Sequence, residues 1–197
     1  EGKDMVHWAL QKVCQVKHPN PEINPKWRNI CSKLRNKHEN DQILQEILII
    51  IPVDTGPNKL GNKILRNTII YGPCEIGDNN LIGPNSIIGT PGQHTVNPRY
   101  ESSNKKIKIG NNCIIREFSV VQKPYDSDYT TICDDVFIME KVHIPHDAQI
   151  GSLSVLTPGV VLGGNTAILE GANLGINCSV HQNTVVGQYT MIGMGTV

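Results

Sequence analysis

From Ile132 to Ile192 an aliphatic residue recurs at every sixth position: Ile132, Ile138, Ile144, Ile150, Leu156, Leu162, Ile168, Leu174, Val180, Val186 and Ile192. An α-helix repeats its apolar face every three to four residues, so this stretch is not helical. A period of six fits a coil in which each flat side has one short strand and one inward aliphatic side chain. Three sides make an eighteen-residue turn, and stacked turns bury a continuous apolar column. Glycine follows the inward aliphatic at Gly151, Gly163, Gly175, Gly187 and Gly193. A tight corner there calls for a residue free of Cβ restriction.

The same register governs Ile64, Ile70, Ile76, Ile82 and Ile88, and again Ile109, Ile115 and Val121. These blocks are out of phase with one another. The pattern therefore predicts an all-β solenoid, a parallel β-helix over residues 56–197, with loops at 89–108 and 122–131. Long loops on a rigid solenoid are where function concentrates.

Residues 1–55 read as a helical N-terminal segment. Asp4 suits an N-cap before Val6, Ala9, Leu10 and Val13, and Trp27, Ile30, Cys31 and Leu34 form an amphipathic stripe. A third helical stretch runs from Asp41 to about Ile50, with Ile43, Leu44, Ile47 and Leu48 on one side, until Pro52 stops it. Residues 53–62 read as a linker. Lys26, Arg28, Lys33, Arg35 and Lys37 have no acid among them. They form either a solvated face or a landing site for an acidic carrier protein or a phosphorylated ligand.

Charge excludes a strong bulk field, because 18 basic residues balance 18 acidic ones. Nothing in that balance points to nucleic acid. Six scattered cysteines without a CxxC pair suit a reduced, cytoplasmic protein. The aliphatic run Ile47–Ile51 is too short to span a bilayer, and no secretory leader is expected. The last residue, Val197, falls at a coil without a polar cap. This predicts either a further C-terminal segment or a partner over that end.

The register also places the candidate chemistry. In Val142-His143-Ile144-Pro145-His146-Asp147 the inward residue is Ile144, so His143 and His146 flank it on the outside. His181 follows the inward Val180 two coils further on, on the same side. A histidine is the natural base for a hydroxyl or amine proton near neutral pH. Asp147 is placed to orient an imidazole. The alternative on spacing alone is a set of surface histidines on a scaffold.

The hexapeptide repeats, His143-Ile144-Pro145-His146-Asp147 followed by Ala148-Gln149-Ile150-Gly151, and Val180-His181-Gln182 at the matching distance resemble the UDP-N-acetylglucosamine O-acyltransferase family. Ile109-Gly110-Asn111-Asn112, Ile115-Arg116-Glu117 and the loop residues Asn97, Arg99 and Tyr100 extend the likeness over roughly residues 62–197. The resemblance implies a left-handed β-helix and a homotrimer with active sites between subunits. It implies acyl transfer from an acyl carrier protein or coenzyme A thioester to a sugar, with no bound cofactor and no metal. By that analogy His146 is the general base, partnered by Asp147. His143, His181, Gln182, Asn97 and Arg99 would bind substrate, and Gly193 and Met194 would lie at the acyl-chain groove. Methionine at that point implies a short or medium acyl group.

The chain departs from the family in having Asn165 where a further histidine is common, fewer N-terminal coils, and no C-terminal helical part in this sequence. The segment Leu162-Gly163-Gly164-Asn165 also resembles the acetyl-CoA-dependent sugar N-acetyltransferases. Two readings from other classes remain. One is a zinc site like that of the γ-class carbonic anhydrases, whose histidine spacing differs from the pattern here. The other is a β-helix that serves only as an interaction scaffold.

Overall fold

A computed structural model describes the backbone of residues 48–51 and all of residues 61–98, 102 and 104–197. Its strands form three sheets, the sides of a prism around which the chain winds as a left-handed parallel β-helix. The first sheet stacks Lys63–Ile64, Leu81–Ile82, Ile114–Ile115, Phe137–Ile138, Val155–Leu156, Asn173–Leu174 and Met191–Ile192. The second stacks Leu48–Ile51, Thr68–Tyr71, Ile87–Thr90, Val120–Gln122, His143–Ile144, Val161–Leu162 and Ser179–Val180. The third stacks Cys74–Ile76, Lys106–Ile109, Tyr129–Ile132, Gln149–Ile150, Ala167–Ile168 and Val185–Val186.

The sixfold aliphatics fill the prism. Ile144, Ile150 and Leu156, one from each side of a single coil, are at most 1 % exposed. Burying each such side chain contributes roughly 1.5–3 kcal/mol. A second inward position lies two residues earlier and takes small side chains such as Val142, Ala148 and Ser154, all buried. Where that residue is polar its hydroxyl donates to a neighbouring carbonyl, as Ser86 does to Arg116 (2.9 Å) and Ser119 to Met139 (2.9 Å). Burial without a partner would cost more than the bond returns.

The corners differ from the sequence-based expectation. Except at Gly89, which follows Ile88 with a φ of 91°, the glycine after an inward aliphatic is not the residue with positive φ. That conformation falls three residues after the aliphatic and is taken largely by Asn and Asp, as at Asn85 (58°), Asp147 (61°) and Asn165 (58°). At Gly151, Gly163 and Gly175 the glycine is needed because the next coil passes close by. A Cβ on Gly163 would lie 2.4 Å from the Gln182 nitrogen.

Two further expectations are revised. Leu48–Ile51 is not the end of a helix but a strand antiparallel to Thr68–Tyr71. Four consecutive aliphatics with high β-propensity satisfy the open edge of the second sheet. The helical reading of the preceding residues lies outside the described part. The loops are also shorter than the phase breaks suggested, because Ile87–Thr90 and Lys106–Ile109 trim the first, and Val120–Gln122 and Tyr129–Ile132 trim the second.

The fold grades its thiols. Burial pushes Cys74 up to about 12 and Cys113 up to about 11, against thiolate formation. Cys133 is half-buried on the outside of a corner. Alkylation at pH 8 followed by peptide mass spectrometry is expected to label Cys133 well before Cys74 and Cys113. Equal rates would mean that the coil opens on the labelling time scale.

Candidate active site

Register puts the two insertions and the histidines at one corner, where the second sheet hands over to the third. Successive strands of the second sheet are 18 residues apart from Ile69 to Ile87, 33 from Ile87 to Val120, and 23 from Val120 to His143. Both insertions therefore leave the second sheet and return to the third, as His146 and Asp147 do one coil on. By the same register Lys123, His146, Gly164 and Gln182 occupy equivalent corner positions on successive coils.

Asp147 is the anchor of this corner. Its left-handed conformation turns a buried carboxylate, 4 % exposed, toward the second insertion. It accepts hydrogen bonds from the backbone N–H groups of Tyr125 (3.0 Å), Asp126 (3.1 Å) and Ser127 (2.6 Å), and from the Ser127 hydroxyl (2.6 Å). Burial pushes its carboxyl up, but the bonds from Ser127 and His146 and the backbone donors outweigh this and hold it at about 2. Its own N–H donates to Thr130 Oγ1 (3.0 Å).

His146 Nδ1 lies 2.8 Å from Asp147 Oδ2. A carboxylate only accepts, so the bond puts the imidazole proton on Nδ1 and leaves a lone pair on Nε2. The ring lies over Gly164, where a Cβ would fall 2.4 Å from Cε1 and 2.5 Å from Nε2. Only glycine leaves room for it. Among the described residues the Gly164 N–H makes no backbone hydrogen bond. His143 is outward on the second sheet, in register between Val120 and Val161. Burial, then the neighbouring His146, pushes its protonation down, so it is held neutral.

Two loops close over this pair. Tyr125 makes a T-shaped contact with His146, with centroids 6.3 Å apart, and stacks face to face with His94 at 4.1 Å. Buried Ser102 ties the loops together, accepting from Gly92 N–H (3.3 Å) and donating to the Pro124 carbonyl (3.2 Å). The Lys123 ammonium, buried below His146, donates to the Gly72 carbonyl.

The remaining expected site residues are more dispersed. His181 and Gln182 are exposed at the same corner, with Gln182 two coils from His146, or two strand spacings of about 5 Å each. His181 Nδ1 lies 3.1 Å from the Gln182 carbonyl. Asn97 is exposed in the first insertion, and Arg99 lies outside the described residues. Gly193 and Met194 are not at this corner. They follow the Met191–Ile192 strand, where the first sheet hands over to the second, and Met194 is 73 % exposed. A groove of about 380 Å³ runs beside the site on the outer face of the third sheet, from Ser127 and Tyr129 to Ala167 and Leu169. Among the described residues no group of three or more His, Cys, Asp or Glu is arranged to hold a metal ion.

His94, Tyr125, Ser127 and Gly164 were not expected from the sequence. Counting sides in threes would have put both insertions at the His146 corner. The stack and the carboxylate cradle have no sequence signature.

This fold and this corner define a hexapeptide-repeat β-helix with a histidine–carboxylate pair between two loops. Residues 61–90 and 129–164 match the family described as bacterial transferase hexapeptide (six repeats). The chain is 31 % identical over 131 residues to the acyl-[acyl-carrier-protein]–UDP-N-acetylglucosamine O-acyltransferase of Agrobacterium fabrum, covering 65 % of this chain and 47 % of that one. It is 35 % identical over 110 residues to that of Thermodesulfovibrio yellowstonii, covering 55 % and 42 %. Among solved structures, LpxA from Acinetobacter baumannii superposes with a TM-score of 0.65 at 28 % identity over 68 % of this chain and 52 % of that one. The UDP-N-acetylglucosamine acyltransferase of Arabidopsis gives 0.61 at 25 % identity over 70 % and 55 %. The chain thus spans about half the length of the relatives it matches. Its resemblance to the UDP-N-acetylglucosamine O-acyltransferases is borne out in both sequence and fold.

Proposed function

We propose that this protein transfers an acyl group from a thioester to a hydroxyl of a nucleotide-linked sugar. The observation that carries the reading is the His146–Asp147 pair, whose ring and Nε2 lie over Gly164, a residue whose N–H makes no backbone hydrogen bond among those described. His146 Nε2 takes the hydroxyl proton as the sugar oxygen attacks the thioester carbonyl. The C–O bond forms, and the carbonyl electron pair moves to an oxyanion that Gly164 N–H stabilises. The oxyanion then collapses, the C–S bond breaks, and the thiolate recovers the proton from the His146 imidazolium. A thioester is already activated, so proton removal and oxyanion stabilisation suffice.

The relatives' names support an acyl carrier protein as donor and UDP-N-acetylglucosamine as acceptor. His143, His181 and Gln182 then line the cleft, with Asn97 and Arg99 contacting the acceptor. The outer faces support a homotrimer. Ile69, Ile87, Val120 and Val161 lie on the outside of the second sheet, interrupted by His143, and Leu81, Ile114, Phe137 and Val155 run up the first. The third sheet is more mixed, presenting Lys108, Thr131 and Gln149 before Ala167 and Val185. Apolar rows of this kind suit burial against further copies of the chain. Among the described residues no helix is long and apolar enough to cross a membrane.

The test is thiol release from acyl carrier protein thioesters and acyl-CoAs, each with a panel of UDP- and dTDP-linked sugars and amino sugars. Release that requires both one thioester and one sugar is expected. Release with no pair would leave the β-helix as an interaction scaffold.

A further inference from the structure

We propose that His94 recognises the acceptor, donating a hydrogen bond from Nε2 to an acceptor oxygen, and that Tyr125 holds it in place for this. The inference rests on the acyl-transfer reading of the same corner. His94 belongs to the first insertion and is half-buried in it. Two residues earlier, the Gly92 backbone touches the active corner: a Cβ there would fall 2.8 Å from His146 Cβ and 2.9 Å from the Lys123 carbonyl. The Ser102 bonds to Gly92 and Pro124 fix that approach. The His94 ring then stacks on Tyr125 with an interplanar angle of 9°. Tyr125 is itself tied down, since its N–H donates to Asp147 and its ring makes a T-shaped contact with His146. One aromatic ring thus spaces two imidazoles on a rigid frame.

The hydrogen bonds give the two imidazoles opposite roles. Val96 N–H donates to His94 Nδ1 (3.2 Å), so Nδ1 carries a lone pair and the proton of the neutral ring sits on Nε2. His146 is the reverse, with its proton on Nδ1 toward Asp147 and its lone pair on Nε2. Among the described residues no hydrogen bond engages His94 Nε2. The corner therefore offers an acceptor at His146 and a donor at His94, on either side of Tyr125. A ligand that satisfies both brings a hydroxyl to His146 and a second oxygen, from a hydroxyl, carbonyl or phosphate, to His94. A sugar or its phosphate ester meets that requirement, whereas a simple amine or alcohol does not.

Two substitutions separate this role from packing. His94→Phe keeps the stack and removes the donor, while His94→Gln keeps a donor and loses the stack. The expected result is a KM for the acceptor raised about tenfold in His94→Phe, the size of one lost hydrogen bond to substrate. In His94→Gln it should rise less, because a donor remains although the stack on Tyr125 that positions it is lost, with kcat within about threefold in both. Circular dichroism confirms the coil, and His94→Leu replaces the phenylalanine variant should that fail to fold. Unchanged KM in the phenylalanine variant, or an equal rise in both, overturns the proposal in favour of packing. If the wild type turns over no thioester–sugar pair, the acyl-transfer reading fails separately. His94 is then judged by calorimetric binding of UDP-N-acetylglucosamine to the same three proteins. Binding weakened more in the phenylalanine variant than in the glutamine variant supports the proposal, and equal binding or no wild-type binding overturns it.

Discussion

Replacing His146 by Ala is expected to lower kcat by about 100-fold or more, the usual contribution of a positioned general base. The acceptor KM should change much less. The coil should survive, because the His146 side chain projects from a corner while its backbone carbonyl still receives the Asn165 N–H (3.0 Å). The ring fills the space over Gly164, so its removal leaves a slot beside the position where the hydroxyl is to be deprotonated. Added imidazole is expected to enter that slot and restore part of the rate. Steady-state thiol release with the variant, alongside a thermal melt, checks both points. Near wild-type turnover would move the base elsewhere, with His143 next in line because it is neutral and adjacent.

Asp147→Asn has the second large effect, and it acts on both rate and stability. The left-handed conformation at 61° suits Asn as well as Asp, so the backbone has no reason to move. The hydrogen bonds do change. An amide nitrogen in place of Oδ2 would point a donor at His146 Nδ1 and fix the proton on Nε2, where the base must be empty. In serine proteases the equivalent change costs ~10⁴-fold in kcat. A loss of about 100-fold or more is expected here. The same amide nitrogen cannot accept from Tyr125 N–H, so the second insertion loosens.

The acid limb of stability provides an independent readout. The Asp147 carboxyl is held at about 2 in the folded chain against an ordinary 3.8. Its contribution, about 2 kcal/mol, is fully present above the unfolded value and is lost as pH falls toward 2. Wild type should lose that increment between about pH 4 and pH 2, whereas Asp147→Asn should be less stable at neutral pH and flatter over this interval. Denaturant melts at a series of pH values measure it. Parallel curves for the two proteins would show that Asp147 is not the group titrating.

The fold was legible because its rule is local. One aliphatic every six residues sets the strand, the inward direction and the coil length, and Ile132 through Val186 are buried as that rule requires. It also separated inward Ile144 from outward His143 and His146. The pattern was misleading where a different neighbour decided the outcome. Leu48–Ile51 reads equally as the end of an amphipathic helix or as a strand, and the unpaired edge at Thr68–Tyr71 selected the strand. The glycines mark corners, but at Gly151, Gly163 and Gly175 their cause is the next coil's backbone rather than positive φ.

Sequence alone thus determined the coil and its register and offered Asp147 as a partner for an imidazole, because each depends on residues a few positions apart in a fixed period. The bond from His146 to Asp147 is seen in the structure. Tertiary structure decided what surrounds that pair. The insertions carry no period, and their paths are set by bonds to groups remote in sequence: Asp147 gathers the N–H groups of Tyr125, Asp126 and Ser127 some 20 residues away. From that folding back come the His94–Tyr125 stack and the opposite proton positions of His94 and His146. The separation of Met194 from this corner has the same kind of origin, since three sides of a prism face three ways and only the winding of the coil assigns a residue to one of them.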